Sequence, residues 1–437
     1  MSNADKDPNI LLFVVDQLRA FALPSYGGRA IAPNIENLIG AGSLFESAYC
    51  NYPLCAPSRS SFLTGRLASE VEAFDNAAPL GVDQPTLVHY LRQKGYYTCL
   101  VGKMHFTGPD QLHGYEVRRT TDIYPANYSW TADWSTPADD HLGAGLEAVI
   151  ESGICRRSMQ DRGSIHVSLW RSQRRKIAEL SNEEGSRARQ CYLASVTYAD
   201  SLFGRVMDAL RKSGQDQNTL IVFTTDHGEM LGDRGLWFKS CHFEGAARIP
   251  LVIAGPGFEA GRRIRQPVSL LDLFPTILKS VDNLREQVDW QDYRGRDLRS
   301  VGRNDSSATE LPILGEYTAQ HTVVPRVMVR LGRHKYLFAD DGEELLYDLE
   351  KDPWETKSIA DETTKPLLEE FRQIVARTWD LDALKQKVIS SQKRRLTVHN
   401  ALRHGAQPSW NYEPHIDAQE MYVRNDIASV EKRRARL

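Results

Sequence analysis

The sequence is poor in the features that mark several common protein classes. None of its six cysteines stands in a Cys-x-x-Cys pair, so neither a structural zinc site nor a disulfide framework is expected. It also has no long apolar run. The apolar stretch at residues 10–15 is too short to cross a membrane, and it is not preceded by the basic segment that begins a secretory signal. We therefore expect a cytoplasmic protein without a membrane partner.

An excess of charge of one sign is missing as well. The chain has 54 basic and 57 acidic residues and a net charge of −3, which gives no electrostatic reason to bind nucleic acid. No internal repeat or low-complexity tract interrupts its 437 residues. Because this length is large for one compact core, we expect a large α/β domain with a smaller appended unit.

Short apolar segments alternate with helical patterns along the first two thirds of the chain. Strands are predicted over residues 10–15, 97–101, 220–225 and 249–254. Helices are predicted over residues 86–94, 193–210 and 268–281. The alternation predicts a mostly parallel sheet with helices on both faces.

The sequence pattern changes near residue 311, where short predicted strands replace the alternation of strands and helices. Strands are predicted over residues 311–314, 327–331, 335–338 and 344–349, and a helix over residues 365–378. This pattern favours a small antiparallel α+β unit. The predicted organisation is a catalytic domain at residues 1–306, this subdomain at 307–380, and an extended tail at 381–437 that contacts a neighbouring subunit.

Several predicted strands end in polar side chains, which is where open α/β sheets place their sites. Asp16 and Gln17 follow one strand, and Asp226 and His227 follow another. Carboxylate, amide and imidazole groups suit a divalent ion such as Ca²⁺, Mn²⁺ or Mg²⁺. Taken alone, Asp-His-Gly-Glu is equally compatible with a helix cap.

The run Cys-Ala-Pro-Ser-Arg-Ser-Ser-Phe-Leu-Thr-Gly-Arg at residues 55–66 carries the most chemical information. Pro57 suits the first turn of a helix, and Ser58 suits its N-terminus. Cys55 would then lie among exposed N–H donors that favour a bound anion. A lone cysteine is more often a buried structural residue, but here several spaced residues act together.

Cys-x-Pro-x-Arg followed by Leu-Thr-Gly resembles the signature of the sulfatase family. The resemblance implies an alkaline-phosphatase-like α/β/α sandwich, a divalent ion, and a formylglycine made from Cys55 by a modifying enzyme. Hydrated formylglycine would attack the sulfur, and His105 would take a proton when the intermediate breaks down. The implied metal ligands are Asp16, Gln17, Cys55, Asp226 and His227. The implied catalytic residues are Cys55, Arg59, Lys103, His105 and Lys239.

Longer blocks resemble the choline sulfatases within that family, notably residues 102–114, 121–125, 235–239 and 315–317. This implies hydrolysis of choline O-sulfate to choline and sulfate, and a homo-oligomer, a tetramer. A quaternary ammonium donates no hydrogen bond, so aromatic faces and a carboxylate must hold it. The substrate-binding residues implied by the resemblance are Asn76, Trp130, His141 and Glu316.

The chain departs from that pattern after Ser158-Met159-Gln160. The choline sulfatases carry a His-Pro-His-Asp-Pro segment there, and this chain does not. Two alternatives stay open: a phosphonate monoester or phosphodiester hydrolase of the same superfamily, and a shortened relative that binds ligand without turnover.

Overall fold

The structure is a computed structural model that describes residues 7–135, 181–282, 284, 286–301, 311–405 and 408–414. Its strands are β1 (Asn9–Val15), β2 (Ser43–Tyr49), β3 (Cys99–Leu100), β4 (Val117–Arg118), β5 (Thr219–Thr225), β6 (Arg248–Ala254), β7 (Arg262–Ile264), β8 (Val268–Ser269), β9 (Ile313–Tyr317), β10 (Arg326–Leu331), β11 (His334–Ala339) and β12 (Glu344–Asp348). Its helices are α1 (Pro33–Ala41), α2 (Cys55–Thr64), α3 (Leu87–Gln93), α4 (Asn182–Lys212), α5 (Glu244–Ala247), α6 (Leu273–Leu278), α7 (Lys365–Thr378) and α8 (Leu381–Leu402). No described helix has both the length and the apolar character that a bilayer span requires.

The central sheet has β1 at one edge, followed by β5, β6, β2 and β7, with β8 also beside β2. β1 and β5 are parallel, and β2 is parallel to β7 and β8. β6 runs antiparallel to both of its neighbours. The prediction of a mostly parallel sheet is confirmed, with one antiparallel strand inside it.

Helices cover both faces of this sheet because alternate residues of each strand point to opposite sides. In β5, Leu220 and Val222 pack with α2, α3 and α6. Ile221 and Phe223 pack with α1 and α4 on the other face. With both faces covered, the carboxyl edge of β1 and β5 is the place left for a site.

A second sheet follows, with the antiparallel order β12, β11, β10 and β9. Val329 and Tyr336 of this sheet pack against Phe371 of α7 and Val388 of α8. The predicted antiparallel α+β unit is therefore present. Helix α8 was not predicted, because its apolar residues are spread around the helix instead of forming one apolar face, and the segment was expected to belong to the extended tail. The domain boundaries at residues 306 and 380 stay a prediction.

The predicted strand at residues 97–101 is wrong in its extent and its place. Only Cys99 and Leu100 form β3, which pairs with β4 in a separate two-stranded sheet. Tyr97 and Val101 are 62% and 69% exposed, so this apolar run does not form a buried strand. Conversely, β2 belongs to the central sheet but was not predicted, because Glu46 interrupts its apolar pattern.

The predicted helix at residues 268–281 is wrong in its first part. This region begins as β8 and turns at Ser269 before α6 starts. The Ser269 hydroxyl accepts from the Leu271 N–H, and the Asp272 carboxylate accepts from the Ser269 N–H. These local bonds compete with helix formation, so α6 begins only at Leu273.

A buried ion triad joins α5 to the second sheet. Lys335 Nζ lies 2.9 Å from Glu244 Oε1 and 2.8 Å from Glu355 Oε1, and all three side chains are almost fully buried. Glu355 also accepts from the Glu244 N–H over 2.7 Å. One ammonium group thus holds two carboxylates that have little access to water.

We predict that Lys335→Met lowers the free energy of unfolding by about 3–5 kcal/mol, because it leaves buried carboxylates without a cation. Lys365→Met is the matched control, since Lys365 pairs with Glu362 on the surface. That variant should change stability by less than about 1 kcal/mol. Urea unfolding of both variants checks the prediction, and equal losses would contradict it.

Candidate active site

Asp16 and Asp226 directly follow two neighbouring parallel strands. Val15 of β1 lies opposite Thr225 of β5, so the two aspartates leave the sheet side by side at its carboxyl edge. The Gln17 N–H donates to Asp226 Oδ1 over 3.1 Å and ties the strand ends together. The sheet topology thus joins two carboxylates that are far apart in sequence.

Cys55 is the first residue of α2, and Leu54 precedes it in extended conformation. One turn further on, Ser58 Oγ donates to the Asp226 carbonyl oxygen over 2.6 Å. Arg59 Nε donates to Asp226 Oδ2 over 2.9 Å. Residues four apart lie on the same side of a helix, so the Cys-x-Pro-x-Arg spacing turns Cys55 and Arg59 toward the same strand end.

Asp16, Cys55, Asp226 and His227 form a compact cluster whose potential ligand atoms all lie within 4.8 Å of one another. Cys55 Sγ is 3.2 Å from His227 Nε2 and 3.9 Å from Asp16 Oδ1. His227 Nδ1 lies 3.0 Å from the Gly228 carbonyl oxygen. Because a carbonyl only accepts, this contact places a hydrogen on Nδ1 and turns Nε2 toward the cluster, where it can bind a cation when the ring is neutral.

The donor set of this cluster fits a divalent cation. Apart from Cys55, its donors are two carboxylates and one imidazole nitrogen, a set that suits Ca²⁺, Mn²⁺ or Mg²⁺ better than a thiolate-preferring metal. Burial raises the pKa of Asp16, but the nearby positive charges, of which Lys103 and Arg59 act most strongly, together lower it by more, so its net pKa is below the ordinary value. Asp16 is therefore ionised at neutral pH, as a metal ligand must be.

Three cationic side chains converge on the same place. Lys103 Nζ lies 2.5 Å from Asp16 Oδ2, and Lys239 Nζ lies 2.5 Å from Gln17 Oε1. Together with Arg59, these cations outnumber the two aspartates of the cluster. The predicted ligand Gln17 thus binds Lys239 through its side-chain oxygen, and its amide nitrogen donates to a glutamate.

This surplus of positive charge acts on the position of Cys55. Burial raises the pKa of the Cys55 thiol, but Lys103, Lys239 and His227 lower it by more than burial and Asp16 raise it. The net pKa lies well below the ordinary value of a thiol. The start of α2 adds N–H donors to this field. An anion is therefore stabilised at this point of the site.

An aromatic group stands beside the cations. The His105 ring is stacked on Tyr124 at 4.8 Å between centroids, and Trp130 meets both rings edge to face at 5.7 and 4.8 Å. Lys103 Nζ lies 4.4 Å from the centre of the Tyr124 ring. Within the described residues both ring nitrogens of His105 are buried without a hydrogen-bond partner, so this imidazole is available to a ligand.

Asp122 holds the backbone of the segment that carries Lys103 and His105. Its Oδ2 accepts from the Met104 N–H over 3.2 Å, from the His105 N–H over 2.6 Å, and from the Arg118 guanidinium over 3.0 Å. His105 has a φ of 59°, which is unfavourable for a residue with a β-carbon. The carboxylate stabilises this conformation and with it the direction of the imidazole.

Asn76 lies next to the cysteine. Its Oδ1 accepts from the Ala56 N–H over 3.0 Å, directly after Cys55, and its backbone oxygen accepts from Thr107 Oγ1 over 3.2 Å. The structure therefore brings Asn76 together with the other predicted residues at the start of α2. His141, the other residue predicted near the ester, lies outside the described residues.

Glu316 is buried on β9, and its assignment to the choline end stays a prediction. Its carboxylate accepts from the Ser69 N–H over 2.5 Å, from the Ser69 hydroxyl over 2.7 Å, and from Trp379 Nε1 over 3.0 Å. Burial raises the pKa of this carboxyl, although Ser69 and Trp379 lower it in part. Its described contacts include none with Trp130 or Cys55.

Sequence reasoning missed three residues that shape this site: Glu229, Asp122 and Tyr124. Glu229 accepts from the N–H groups of Leu231 and Phe238, and so fixes the loop before Lys239. All three stand within motifs that the sequence analysis used, Asp-His-Gly-Glu and residues 121–125. Their position in those motifs was the available signal, but their roles depend on contacts across the fold.

Comparison with family models gives two matches. The model described as Sulfatase matches residues 8–282, and the model described as Choline sulfatase enzyme C terminal matches residues 386–436. A choline-sulfatase of Rhizobium meliloti (strain 1021) is 36% identical over 497 aligned positions, which cover 96% of each chain. Because that alignment is longer than this chain, at least 60 of its positions have no counterpart here. A sulfatase of Formosa agariphila is 26% identical, covering 90% of this chain and 92% of that protein.

Solved structures agree on the fold. A putative sulfatase from Bacteroides thetaiotaomicron superposes with a TM-score of 0.68 at 20% identity, covering 95% of this chain and all of the other. The phosphonate monoester hydrolase SpPMH from Silicibacter pomeroyi superposes with a TM-score of 0.65 at 21% identity, covering 85% of this chain and 94% of the other. At this identity the likeness concerns the fold, and it confirms the predicted sulfatase-like α/β architecture.

We predict that Mn²⁺ or Ca²⁺ raises the thermal unfolding midpoint of chelator-treated protein, because an ion that binds only the folded state stabilises it by about 2.7 kcal/mol at 100 times its Kd. Asp16→Asn should weaken this binding by about tenfold or more, since a hard cation loses an ionised oxygen ligand. Titration calorimetry measures the affinity. Asp208→Asn, at an exposed position on α4, is the matched control. Equal affinity in both variants would contradict the assignment of Asp16.

Proposed function

This chain belongs to the sulfatase family, whose members hydrolyse sulfuric esters, and we propose that its substrate is choline O-sulfate. The observation that carries the proposal is the contact between the cationic cluster and the aromatic group. Lys103 Nζ touches Asp16 on one side and lies 4.4 Å from the Tyr124 ring centre on the other. A sulfate binding site and an aromatic binding site therefore adjoin.

The sulfate end of the substrate would lie against Arg59, Lys103 and Lys239. Water is largely excluded from Arg59, which is 2% exposed, so its charge acts at low dielectric. Three fixed cations stabilise the charge that shifts toward the leaving oxygen as the S–O bond breaks. Barriers of this kind require several preorganised charges, because enzymes lower them by about 8–23 kcal/mol.

The choline end would lie against Tyr124 and Trp130. A quaternary ammonium binds to aromatic faces, and each such contact contributes about 0.5–2 kcal/mol. The two rings meet edge to face at 4.8 Å, an arrangement that presents one ring face beside another ring edge. The similarity of residues 386–436 to a choline sulfatase C-terminal model supports the same substrate.

Family membership also supports a formylglycine at position 55 and a divalent ion. When present, these groups would supply a hydroxyl nucleophile and a Lewis acid. Asp16, Asp226 and His227 would hold the ion, and a modifying enzyme would convert Cys55. The proposal extends to a cytoplasmic location and to a homo-oligomer, the state that the resemblance implies.

His105 would move protons in this reaction. Its ring nitrogens have no described hydrogen-bond partner, and Asp122 fixes the direction of its backbone. A positioned imidazole of this kind contributes about 10²–10⁴-fold to the rate of a proton-transfer step.

We predict that protein with verified formylglycine releases sulfate from choline O-sulfate. Cys55→Ala should lose at least about a thousandfold in kcat, because it removes the nucleophile. Ion chromatography of sulfate measures the reaction. Mass spectrometry of the peptide that contains position 55 gives the modification state. No turnover by fully modified protein, or a persistent thiol at this position, would favour the binding-only alternative.

Trp130→Ala should raise KM for choline O-sulfate by about 2- to 30-fold, the equivalent of one cation–π contact. Trp354→Ala is the matched control, since Trp354 is half-exposed and packs against Phe21 with the two rings tilted by 41°. The control should leave KM unchanged. If the protein instead hydrolyses an aryl phosphonate faster than choline O-sulfate, the phosphonate hydrolase alternative replaces this proposal.

A further inference from the structure

We propose that Arg395 is a positioning residue that sets the spacing between the sulfate end and the ammonium end of the substrate site. This inference rests on the proposed function. Arg395 lies on α8, far in sequence from both ends, and is 5% exposed. Its guanidinium contacts the two loops that carry Asn76 and Trp130, through Asp75 and Thr131.

The first contact fixes the sulfate end. Nη1 and Nη2 of Arg395 bind Asp75 Oδ1 and Oδ2 over 2.7 and 2.8 Å, a two-bond arrangement of fixed geometry. Asp75 is fully buried, and its Oδ1 also accepts from the Ala77 N–H over 2.9 Å. Asn76 stands between Asp75 and Ala77 and binds the N–H that follows Cys55. The guanidinium holds the Asp75 carboxylate, and this carboxylate binds the Ala77 N–H, so the two groups together fix the segment of Asn76.

The second contact fixes the aromatic end. Arg395 Nη1 donates to Thr131 Oγ1 over 3.2 Å, and this hydroxyl donates to the Tyr128 carbonyl oxygen over 2.8 Å. The Thr131 N–H closes the same turn, which contains Trp130. One turn before Arg395 on α8, Gln392 accepts from the Trp134 N–H over 2.9 Å. Hydrogen bonds with α8 therefore position the loop that carries Trp130.

The same atom, Nη1, serves both contacts. A planar guanidinium holds its donors at fixed angles, whereas a lysine ammonium is a single point on a flexible stem. Arg395→Lys keeps the charge beside Asp75 but cannot hold Asp75 and Thr131 in the same geometry. The spacing between the two ends then varies, and only a substrate that contacts both ends is affected.

The test compares two substrates in metal-loaded protein of verified modification state. Choline O-sulfate contacts both ends, whereas 4-nitrophenyl sulfate has the ester but no quaternary ammonium. For Arg395→Lys, kcat/KM for choline O-sulfate should fall about tenfold or more, mainly through KM, because a misplacement near 1 Å can cost up to about 100-fold. For 4-nitrophenyl sulfate it should fall less than about threefold.

Two further variants keep the test decisive. Arg394→Lys is the matched control, since Arg394 is exposed and next to Arg395. It should leave kcat/KM unchanged for both substrates. Thr131→Val removes the second contact and leaves the Asp75 ion pair intact. It should therefore lower kcat/KM for choline O-sulfate more than kcat/KM for 4-nitrophenyl sulfate, even if Arg395→Lys reduces the folded fraction. Circular dichroism measures that fraction.

Equal losses for both substrates, or no loss for either, would overturn the role of Arg395. If the unchanged protein hydrolyses 4-nitrophenyl sulfate but not choline O-sulfate, the proposed substrate is wrong and the spacing role is overturned with it. The behaviour of the unchanged protein therefore separates failure of the substrate proposal from failure of the positioning proposal.

Discussion

The site depends on one buried ion pair, between Arg59 of α2 and Asp226 at the end of β5. The two charged groups are 2.9 Å apart and almost inaccessible to water, and Ser58 adds a second bond to the same residue. Removing either partner would leave an uncompensated buried charge. The pair therefore fixes the start of the helix against the end of the strand. This fixes Cys55 next to Asp16 and His227, whatever else the surrounding loops do.

Charge explains why this arrangement suits an anionic ester. Lys103, Lys239 and Arg59 surround two aspartates, and a divalent ion would add to the positive excess. Positively charged side chains held close together repel one another and lower the stability of the folded protein. A bound sulfate group would offset this repulsion. Glu229 and Asp122 do not neutralise this excess at its centre. They bind backbone N–H groups and set the loops from which the lysines project.

Sequence alone predicted those parts of the fold and site in which local pattern and topology agree. The apolar runs of β1 and β5 and the polar residues after them identified the site edge, and Pro57 and Ser58 predicted a helix start beside Cys55. The segment at residues 97–101 shows the limit, because exposure of Tyr97 is a property of the assembled fold. Glu316 shows it too, since its partners Ser69 and Trp379 belong to other elements.

The contacts that define the proposed choline end were the least predictable, and the reason is physical. Trp130 lies in a short 3₁₀ turn, Tyr128–Trp130, that has little stability of its own. Its place is set by partners from other parts of the chain: Gln320, which donates to its carbonyl oxygen over 3.2 Å, and Arg395, through the next residue. The catalytic end is built from strand ends and a helix start, which local sequence encodes. The leaving-group end is built from loops placed by the C-terminal helix. Because Arg395 of that helix binds both Asp75 and Thr131, changes in the helix act on the segment of Asn76 as well as on the loop of Trp130, whereas the pair of Arg59 and Asp226 is formed without it.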